Sequence, residues 1–518
     1  MSSKPSIFLV LVLVFATLIR LAPAMVFNNP FSTDVWPLIK LTKVVIENPS
    51  AKIWNDTQFD GYNNRWPGVI LSASIACILT GLGVEHVYSF LYLVIITITN
   101  TILLYGVLSF TSNTKTAALA AVLYYVAVPS LLIFTSATLK EVYAYPILFA
   151  ILLQLAKREF DWRYMITISV LSLALSTSHH LASVMLIGMS IGILIVLAIG
   201  ITVGEVRSVV RGALVKQLAL VLIALPTFTL YYLLYGQTRA VSLIGFSDIL
   251  SYTFYAVFIY TSYYLAKQVT VKRTVSISAV LTVLIATAFV TLHSLAYGVT
   301  YSLDDVSTYI LAMSAPLVLL CFLPSSVDEV RIFILGIALF MSTNILFIYI
   351  AKPELVTVLH RVLNYLSIMN SMLIAYTCRG RVAKGIAIAV VLMTVVFGIV
   401  AVARIVLGLD KTMFYWVYRE GDVVGMSRIE ALFNGSILGD SKVFYFTYKR
   451  TDSSSLLLAV SRGFKGCGDA VVVLHRDNYD KGFVASLTIY KVGNVSSLIN
   501  RLSRIYDNMY INGFWVRQ

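Results

Sequence analysis

The chain has 518 residues, of which 59% are hydrophobic and only 12% are charged, and its formal net charge is +14. A soluble domain of this size cannot bury so much apolar surface, so the composition excludes a soluble enzyme and predicts a membrane-spanning chain. We attribute the positive charge to cytoplasmic loops that face anionic lipid, and we expect no nucleic-acid partner. The four cysteines have no metal-ligand spacing and predict no disulfide framework.

In chain order, apolar runs of about 16 to 24 residues predict about 13 transmembrane helices. The first run could pass for a signal peptide, but we expect it to remain as the first helix. The predicted spans are 6–26, 88–110, 116–134, 141–156, 163–180, 181–203, 215–235, 247–266, 274–297, 307–323, 331–351, 361–377 and 386–407.

One further apolar run, GVILSASIACILTGLG at 68–83, is short and bounded by Pro67 and Gly83. We predict an interfacial or re-entrant helix there. With the N-terminus inside, the cytoplasmic segments then carry 15 lysines and arginines, and the short outer connections carry 4. If 68–83 spanned the bilayer, every later face would exchange and the positive-inside rule would fail.

This topology divides the chain into a transmembrane domain, 1–407, and an external C-terminal α+β domain, 408–518. The first external loop is 27–87 and contains the 68–83 helix. In the C-terminal part, VFYFTY (443–448), AVVVLH (470–475) and FVASLTIY (483–490) predict strands. VSSLINRLSRIYDN (495–508) predicts an amphipathic helix. The protein is therefore expected to be a multi-pass protein of the cell membrane.

Polar residues that are costly near hydrocarbon cluster on the predicted outer face. At the centre of a membrane helix each charge costs about 2.5 to 3.5 kcal/mol even on insertion scales. No comparable mixed cluster occurs on the predicted inner face, where most charges are plain cations. The outer residues are Asp34, Lys140 and Glu141, His179 and His180, Asp304 and Asp305, and His360 and Arg361.

Each of these residues also has a purely structural explanation. Asp34 could cap a following helix. Lys140 and Glu141 could be an interfacial pair, which would contribute about 0 to 1 kcal/mol. The double histidine could be a polar helix end, the two later aspartates could belong to a solvated loop, and Arg361 could extend its side chain to lipid headgroups. The coincidence of all of them on one face favours a functional site there.

These segments resemble the GT-C superfamily of membrane glycosyltransferases, which take a sugar from a polyprenyl-phosphate or polyprenyl-diphosphate carrier at the outer face. Asp34 in NPFSTDVWP resembles the catalytic acidic residue of the first loop, and WPGVILSASIACILTGLG resembles the juxtamembrane helix of protein mannosyltransferases. Glu141 in SATLKEVYAYP matches the acidic residue of the second outer loop. STSHHLAS resembles a His-His element common in archaeal members, and Arg361 matches an arginine that contacts the carrier phosphate in the oligosaccharyltransferase catalytic subunit.

The resemblance implies a hexosyltransferase-type enzyme with a lipid-linked donor, working in the lipid bilayer on a protein, lipid or glycan acceptor. Asp34 would be the catalytic base for the acceptor. Glu141 would be the second catalytic carboxylate, either orienting Lys140 or joining Asp34 at a divalent metal such as Mg or Mn. His179 is a further candidate for that metal.

The leaving phosphate needs positive charge or hydrogen-bond donors. Arg361, assisted by Lys140, is the candidate phosphate-binding residue, because guanidinium matches phosphate bidentately. His179 or His180 could also hydrogen-bond the phosphate. Two alternatives to a glycosyltransferase stay open at this point: a transporter or flippase for a lipid-linked substrate, and a non-catalytic membrane assembly subunit.

Overall fold

The computed structural model describes residues 7–156, 160–202, 211–237, 246–268, 303–323, 328–352, 356–410, 413–447, 456, 469–485, 488–490 and 502–516. This part of the chain is mainly helical. Six helices are long and apolar enough to cross a membrane, so the chain is a multi-pass membrane protein. They are Ile7–Phe27 (α1), Val84–Thr111 (α4), His180–Thr202 (α9), Gly212–Gly236 (α10 with a terminal π turn), Glu329–Leu346 (α13) and Arg381–Val406 (α15).

Two consecutive apolar helices, Lys115–Ala127 (α5) and Pro129–Thr135 (α6), are bent by 68° at Val128, as in a broken span or a re-entrant loop. Pro129 explains the break, because proline has no amide hydrogen and disfavours helical geometry in the preceding residue. Accordingly, Val128 has φ −54° and ψ 119°.

Other predicted spans coincide with shorter or less apolar helices, and 274–297 lies outside the described residues. The number of thirteen spans therefore stays a prediction. These helices are Lys140–Ala156 (α7), Trp162–Ser178 (α8), Phe246–Gln268 (α11), Leu303–Ser314 (α12) followed by the 3-10 segment Ala315–Phe322, and Val356–Thr377 (α14).

The segment between α1 and α4 contains Val35–Glu47 (α2), a 3-10 turn at Asn63–Arg65, and Gly68–Thr80 (α3). The 13 residues of α3 span about 20 Å, which is less than the ~30 Å hydrocarbon core. The helix ends at Gly81, whose φ of +70° is a left-handed cap. Apolar side chains near its end, including Ile78 and Leu79, are exposed. The structure thus has a short apolar helix within 68–83, and its interfacial placement stays a prediction.

After α15 the described chain contains three helices and six strands. The helices are Glu420–Leu432 (α16), Ser441–Thr447 (α17) and Arg476–Asp480 (α18). The strands are Ser436–Leu438 (β1), Ala470–His475 (β2), Phe483–Ala485 (β3), Thr488–Tyr490 (β4), Ser503–Asp507 (β5) and Ile511–Val516 (β6).

The main sheet has the order β1-β2-β6-β5. β1 pairs parallel to β2, whereas β6 pairs antiparallel to both β2 and β5, with Val471 opposite Trp515 and a bulge between Arg504 and Tyr506. β3 and β4 form a separate antiparallel pair. Every residue of β2 is buried, which explains why its continuous apolar run predicted a strand correctly.

Three predictions in this region are wrong. The run FVASLTIY was expected to be one strand, but it contains two short strands, β3 and β4, that pair with each other. The run VFYFTY was expected to be a strand, but residues 441–447 form α17, because the Asp440 carboxylate accepts the amides of Lys442 and Val443 at its start. The amphipathic helix expected at 495–508 is a strand over 503–507, where β6 supplies the hydrogen-bonding partner. The first part of that predicted helix lies outside the described residues.

The C-terminal part packs on α2. The Trp36 ring lies 5.1 Å from Tyr418 and 4.7 Å from Phe446, between ring centroids. Lys40 pairs with Glu430 at 2.6 Å. These contacts fix the C-terminal part against the residues that directly follow Asp34.

Candidate active site

Arg361 lies between two carboxylates that are far apart in the sequence. Its Nη2 atom is 3.3 Å from Asp34 Oδ2, and its Nη1 atom is 3.9 Å from Glu141 Oε2. Asp34 precedes α2, Glu141 is in the first turn of α7, and Arg361 is in the second turn of α14. Three segments predicted to meet at the outer face are therefore joined by one guanidinium.

Asp34 occupies the N-cap position of α2 but does not cap it. Its backbone is helical (φ −67°, ψ −12°), and its side chain makes no capping hydrogen bond. Two residues earlier, Ser32 has a left-handed φ of +86°, and its amide donates to the Trp416 carbonyl at 2.9 Å, which fixes this turn to the C-terminal part. The explanation of Asp34 as a simple helix cap is therefore wrong, and its carboxylate contacts Arg361 instead.

Glu141 is almost completely buried, with 1% of its surface exposed. The Tyr145 hydroxyl, one turn later in α7, donates to Glu141 Oε1 at 3.0 Å. The Tyr145 ring packs edge-on against Tyr365 of α14 at 5.7 Å. A buried carboxylate held by a tyrosine and facing an arginine is not the exposed interfacial pair of the alternative explanation.

Lys140 is also buried, and it does not pair with Glu141. Its Nζ atom lies 4.0 Å from the centroid of the Tyr62 ring and makes no hydrogen bond within the described residues. Burial raises the pKa of Tyr62, whereas the Arg361 charge lowers it, so the two cations share one neighbourhood. A buried ammonium that makes no hydrogen bond within the described residues has donors available for an anion.

His179 caps the end of α8 and His180 begins α9, and His180 packs against Trp66 of the first loop. Their rings lie 4.7 Å apart, and the His180 ring is 5.0 Å from the buried Trp66. His179 Nδ1 accepts from the Ala182 amide at 3.3 Å, whereas His180 Nδ1 makes no hydrogen bond within the described chain. His179 also lies within electrostatic range of Arg361 and Lys140. The double histidine therefore forms part of the wall of this site.

The described residues do not assemble the metal site that the resemblance implied. Among them, no three His, Cys, Asp or Glu side chains are grouped closely enough to hold a metal ion. Asp34 and Glu141 contact the Arg361 guanidinium, which supplies positive charge where a metal shared by the two carboxylates would lie. The proposed Asp34–Glu141–His179 set does not fit Mg or Mn, and we assign no step to a metal.

For three further residues of the predicted cluster, the structure describes only the helix in which each one lies. Asp304 and Asp305 lie in the first turn of α12 and His360 lies in α14. The positions of these side chains lie outside the described part of the structure.

Two residues near the site were missed by sequence reasoning. Tyr445, in α17, has a raised pKa because of the Asp34 charge and, second, because of burial, so it lies within electrostatic range of Asp34. Nothing in the VFYFTY pattern could have shown this. Arg20 is a buried arginine inside α1. A signal for Arg20 did exist, because it is the single charge in the apolar run of the first span.

Comparison with known proteins shows the fold. The chain is similar to the structure of an oligosaccharyltransferase from Archaeoglobus fulgidus in complex with Zn and sulfate, with a TM-score of 0.51 and 13% identity, over 97% of this chain and 72% of that one. Its apo form matches at a TM-score of 0.41 and 12% identity, over 99% and 75%. ArnT from Cupriavidus metallidurans, bound to undecaprenyl phosphate, matches at 0.41 and 10% identity, over 99% and 98%.

No protein-family model matches the sequence, and no curated protein matches it. The structural similarity to the oligosaccharyltransferase nevertheless covers almost the whole chain. The chain has a GT-C-like fold.

Proposed function

We propose that this protein is a membrane glycosyltransferase that moves a sugar or glycan from a polyprenyl-phosphate-type carrier to an acceptor at the outer membrane face. The observation that carries the proposal is the contact of Arg361 with both Asp34 and Glu141, beside the buried Lys140 ammonium. The two cations suit the negative phosphate of the carrier, and the carboxylates offer a base for the proton of an acceptor. The GT-C-like fold supports this class of reaction.

In the proposed reaction Arg361 and Lys140 bind the carrier phosphate and stabilise the negative charge that develops on it as the glycosidic C–O bond breaks. Phosphate binding would weaken the 3.3 Å contact between Arg361 and Asp34, because the guanidinium then has a second anion to pair with. Asp34, about one-third exposed, is then free to accept the proton of the acceptor nucleophile as that nucleophile bonds to the anomeric carbon released by the phosphate. Glu141, fixed by Tyr145, keeps Arg361 in place during this exchange.

The orientation of the site follows from charge. The 15-to-4 distribution of lysine and arginine supports a cytoplasmic N-terminus and an external site, with the C-terminal α+β part also external. The packing of Trp36 against Tyr418 and Phe446 supports this placement, because it puts the C-terminal part beside Asp34. The identity of the sugar and of the acceptor is left to the experiment below.

The flippase alternative has less support. Transporters usually bind substrate near the membrane midplane, at helices interrupted there. Asp34, Glu141 and Arg361 lie instead at or near helix starts, next to a loop and the C-terminal part. An assembly subunit without an active site has no need for a buried lysine and glutamate beside an arginine.

The test is transfer by the purified protein in lipid nanodiscs, incubated with a panel of radiolabelled polyprenyl-linked sugars. We expect one donor to yield a labelled product, and Asp34→Asn to lower the rate at least about 10²-fold while the protein stays folded. Glu85→Gln is the matched control, because Glu85 belongs to an exposed pair with Lys43. Equal transfer by Asp34→Asn and wild type would contradict the role of Asp34, and no transfer from any donor would contradict the function.

A further inference from the structure

Arg20 is a cation inside the first membrane helix, and its contacts lead toward the proposed site. It is 3% exposed. Its Nε atom donates to Thr135 Oγ1 at 2.8 Å, and its Nη1 atom donates to the Ala16 carbonyl at 3.2 Å. Within the described residues it has no carboxylate partner. We propose that Arg20 is a positioning residue for Glu141 and Arg361, an inference that rests on the function proposed above.

Thr135, which accepts the Arg20 hydrogen bond, lies where the bent helix pair ends. Thr135 is the last residue of α6, the short helix after the 68° bend. Its hydroxyl donates to the Leu131 carbonyl at 2.7 Å, which leaves the oxygen lone pairs free to accept from Arg20. The hydrogen bond therefore ties the end of α6 to α1.

The end of α6 contacts the site in two ways. The neighbouring Phe134 ring lies 5.8 Å beneath the Arg361 guanidinium. The chain then turns and begins α7 at Lys140, with Glu141 next. The Thr138 hydroxyl in this turn donates to the Tyr88 carbonyl at 2.7 Å, so the turn is itself fixed. A shift of α6 would move Phe134 and the start of α7 together.

A second connection runs through Tyr125 of α5. Tyr125 is buried, packs edge-on against Phe149, and lies within electrostatic range of both Arg20 and Glu141. The Tyr125 side chain thus gives Arg20 a second link to Glu141, in addition to the link through α6.

Simple packing does not account for this arginine. A hydrophobic side chain would hold α1 against α6 without burying a charge, and isolated buried cations are disfavoured in membrane helices. The planar guanidinium, in contrast, supplies a donor of fixed direction to the Thr135 hydroxyl.

The test compares turnover per folded molecule for hydroxyl variants at the end of α6, using the donor identified by the panel. Thr135→Val keeps the side-chain shape but removes the acceptor, and we expect kcat to fall about 10-fold to 100-fold. Thr135→Ser should restore most of it. Ser136→Ala is the matched control, because the Ser136 hydroxyl donates only to Leu132 of its own helix at 2.8 Å, and it should keep wild-type turnover.

Arg20→Met should lower kcat to a similar extent, and combining it with Thr135→Val should add little, because both remove the same hydrogen bond. Wild-type turnover in Thr135→Val, an equal loss in Ser136→Ala, or fully additive losses would overturn the inference. So would a lower melting temperature of Arg20→Met with unchanged turnover per folded molecule. Asp34→Asn is measured in parallel: if it loses activity while Thr135→Val keeps it, only the inference about Arg20 fails, and the proposed function stands.

Discussion

Replacing Glu141 with glutamine tests whether this buried carboxylate serves turnover or folding. The substitution keeps the shape and an oxygen that accepts from Tyr145, but it removes the charge that faces Arg361 at 3.9 Å. At this distance and an effective dielectric constant of about 20, the attraction is about 4 kcal/mol. Burying the carboxylate costs several kcal/mol as well, so the two contributions to stability nearly cancel.

We therefore expect Glu141→Gln to shift the melting temperature by no more than about 4 °C. Turnover should fall at least about 30-fold, because Arg361 loses one of the two charges that orient it toward the phosphate. The assay is the transfer rate as a function of donor concentration, with the melting temperature measured on the same preparation. Glu85→Gln, in its exposed pair with Lys43, should change neither quantity. A large loss of stability with unchanged turnover per folded molecule would refute this reasoning and make Glu141 structural.

Three further predictions concern the rest of the site, the topology and the C-terminal part. Lys140→Met should weaken donor binding about 10-fold to 100-fold, because a hydrogen bond to a charged group contributes about 1.5 to 3 kcal/mol. The stability of the protein should hold or rise, because a buried ammonium is removed. Donor titration and thermal unfolding check both effects, and unchanged binding would exclude a phosphate contact. Cysteines introduced at Ser436 and Lys115, in a background without native cysteines, should react with a membrane-impermeant reagent from outside only at 436, and the reverse pattern would contradict the topology. Burial raises the pKa of the Asp440 carboxyl, but contacts with His475 and other donors lower it by more, so the net shift is downward. The stabilising contribution of Asp440 is therefore present above about pH 4 and is lost as the pH falls through its folded pKa. Thermal unfolding between pH 2 and 7 should show this loss, and Asp440→Asn should reduce it.

The helices of the membrane part could be predicted because their signal is local. A long apolar run depends on its own segment alone, and the asymmetry of lysine and arginine is read from the composition of the short loops. The short helix within 68–83 was predicted in the same way, from the length of its apolar run and from Pro67 and Gly83 that bound it. The strand at 470–475 was also predictable, because a short, continuous apolar run is typical of a strand buried on both faces.

The remaining features depend on contacts between distant segments. Residues 441–447 have strand propensity but form a helix, because Asp440 caps it and Phe446 packs on Trp36 of the first loop. The ion pair between Asp34 and Arg361 joins residues 327 positions apart, so the sequence could place both residues on one face but could not show that they touch. Arg20 was overlooked because the hydropathy of its span outweighs one charge.

The most direct test of the central claim is a structure of the protein in nanodiscs with undecaprenyl phosphate as the probe. The account predicts that the phosphate lies within hydrogen-bonding distance, about 3 Å, of the Arg361 guanidinium and the Lys140 ammonium, with the contact between Arg361 and Asp34 lengthened. A phosphate bound elsewhere, with Arg361 still in contact with both carboxylates, would contradict it.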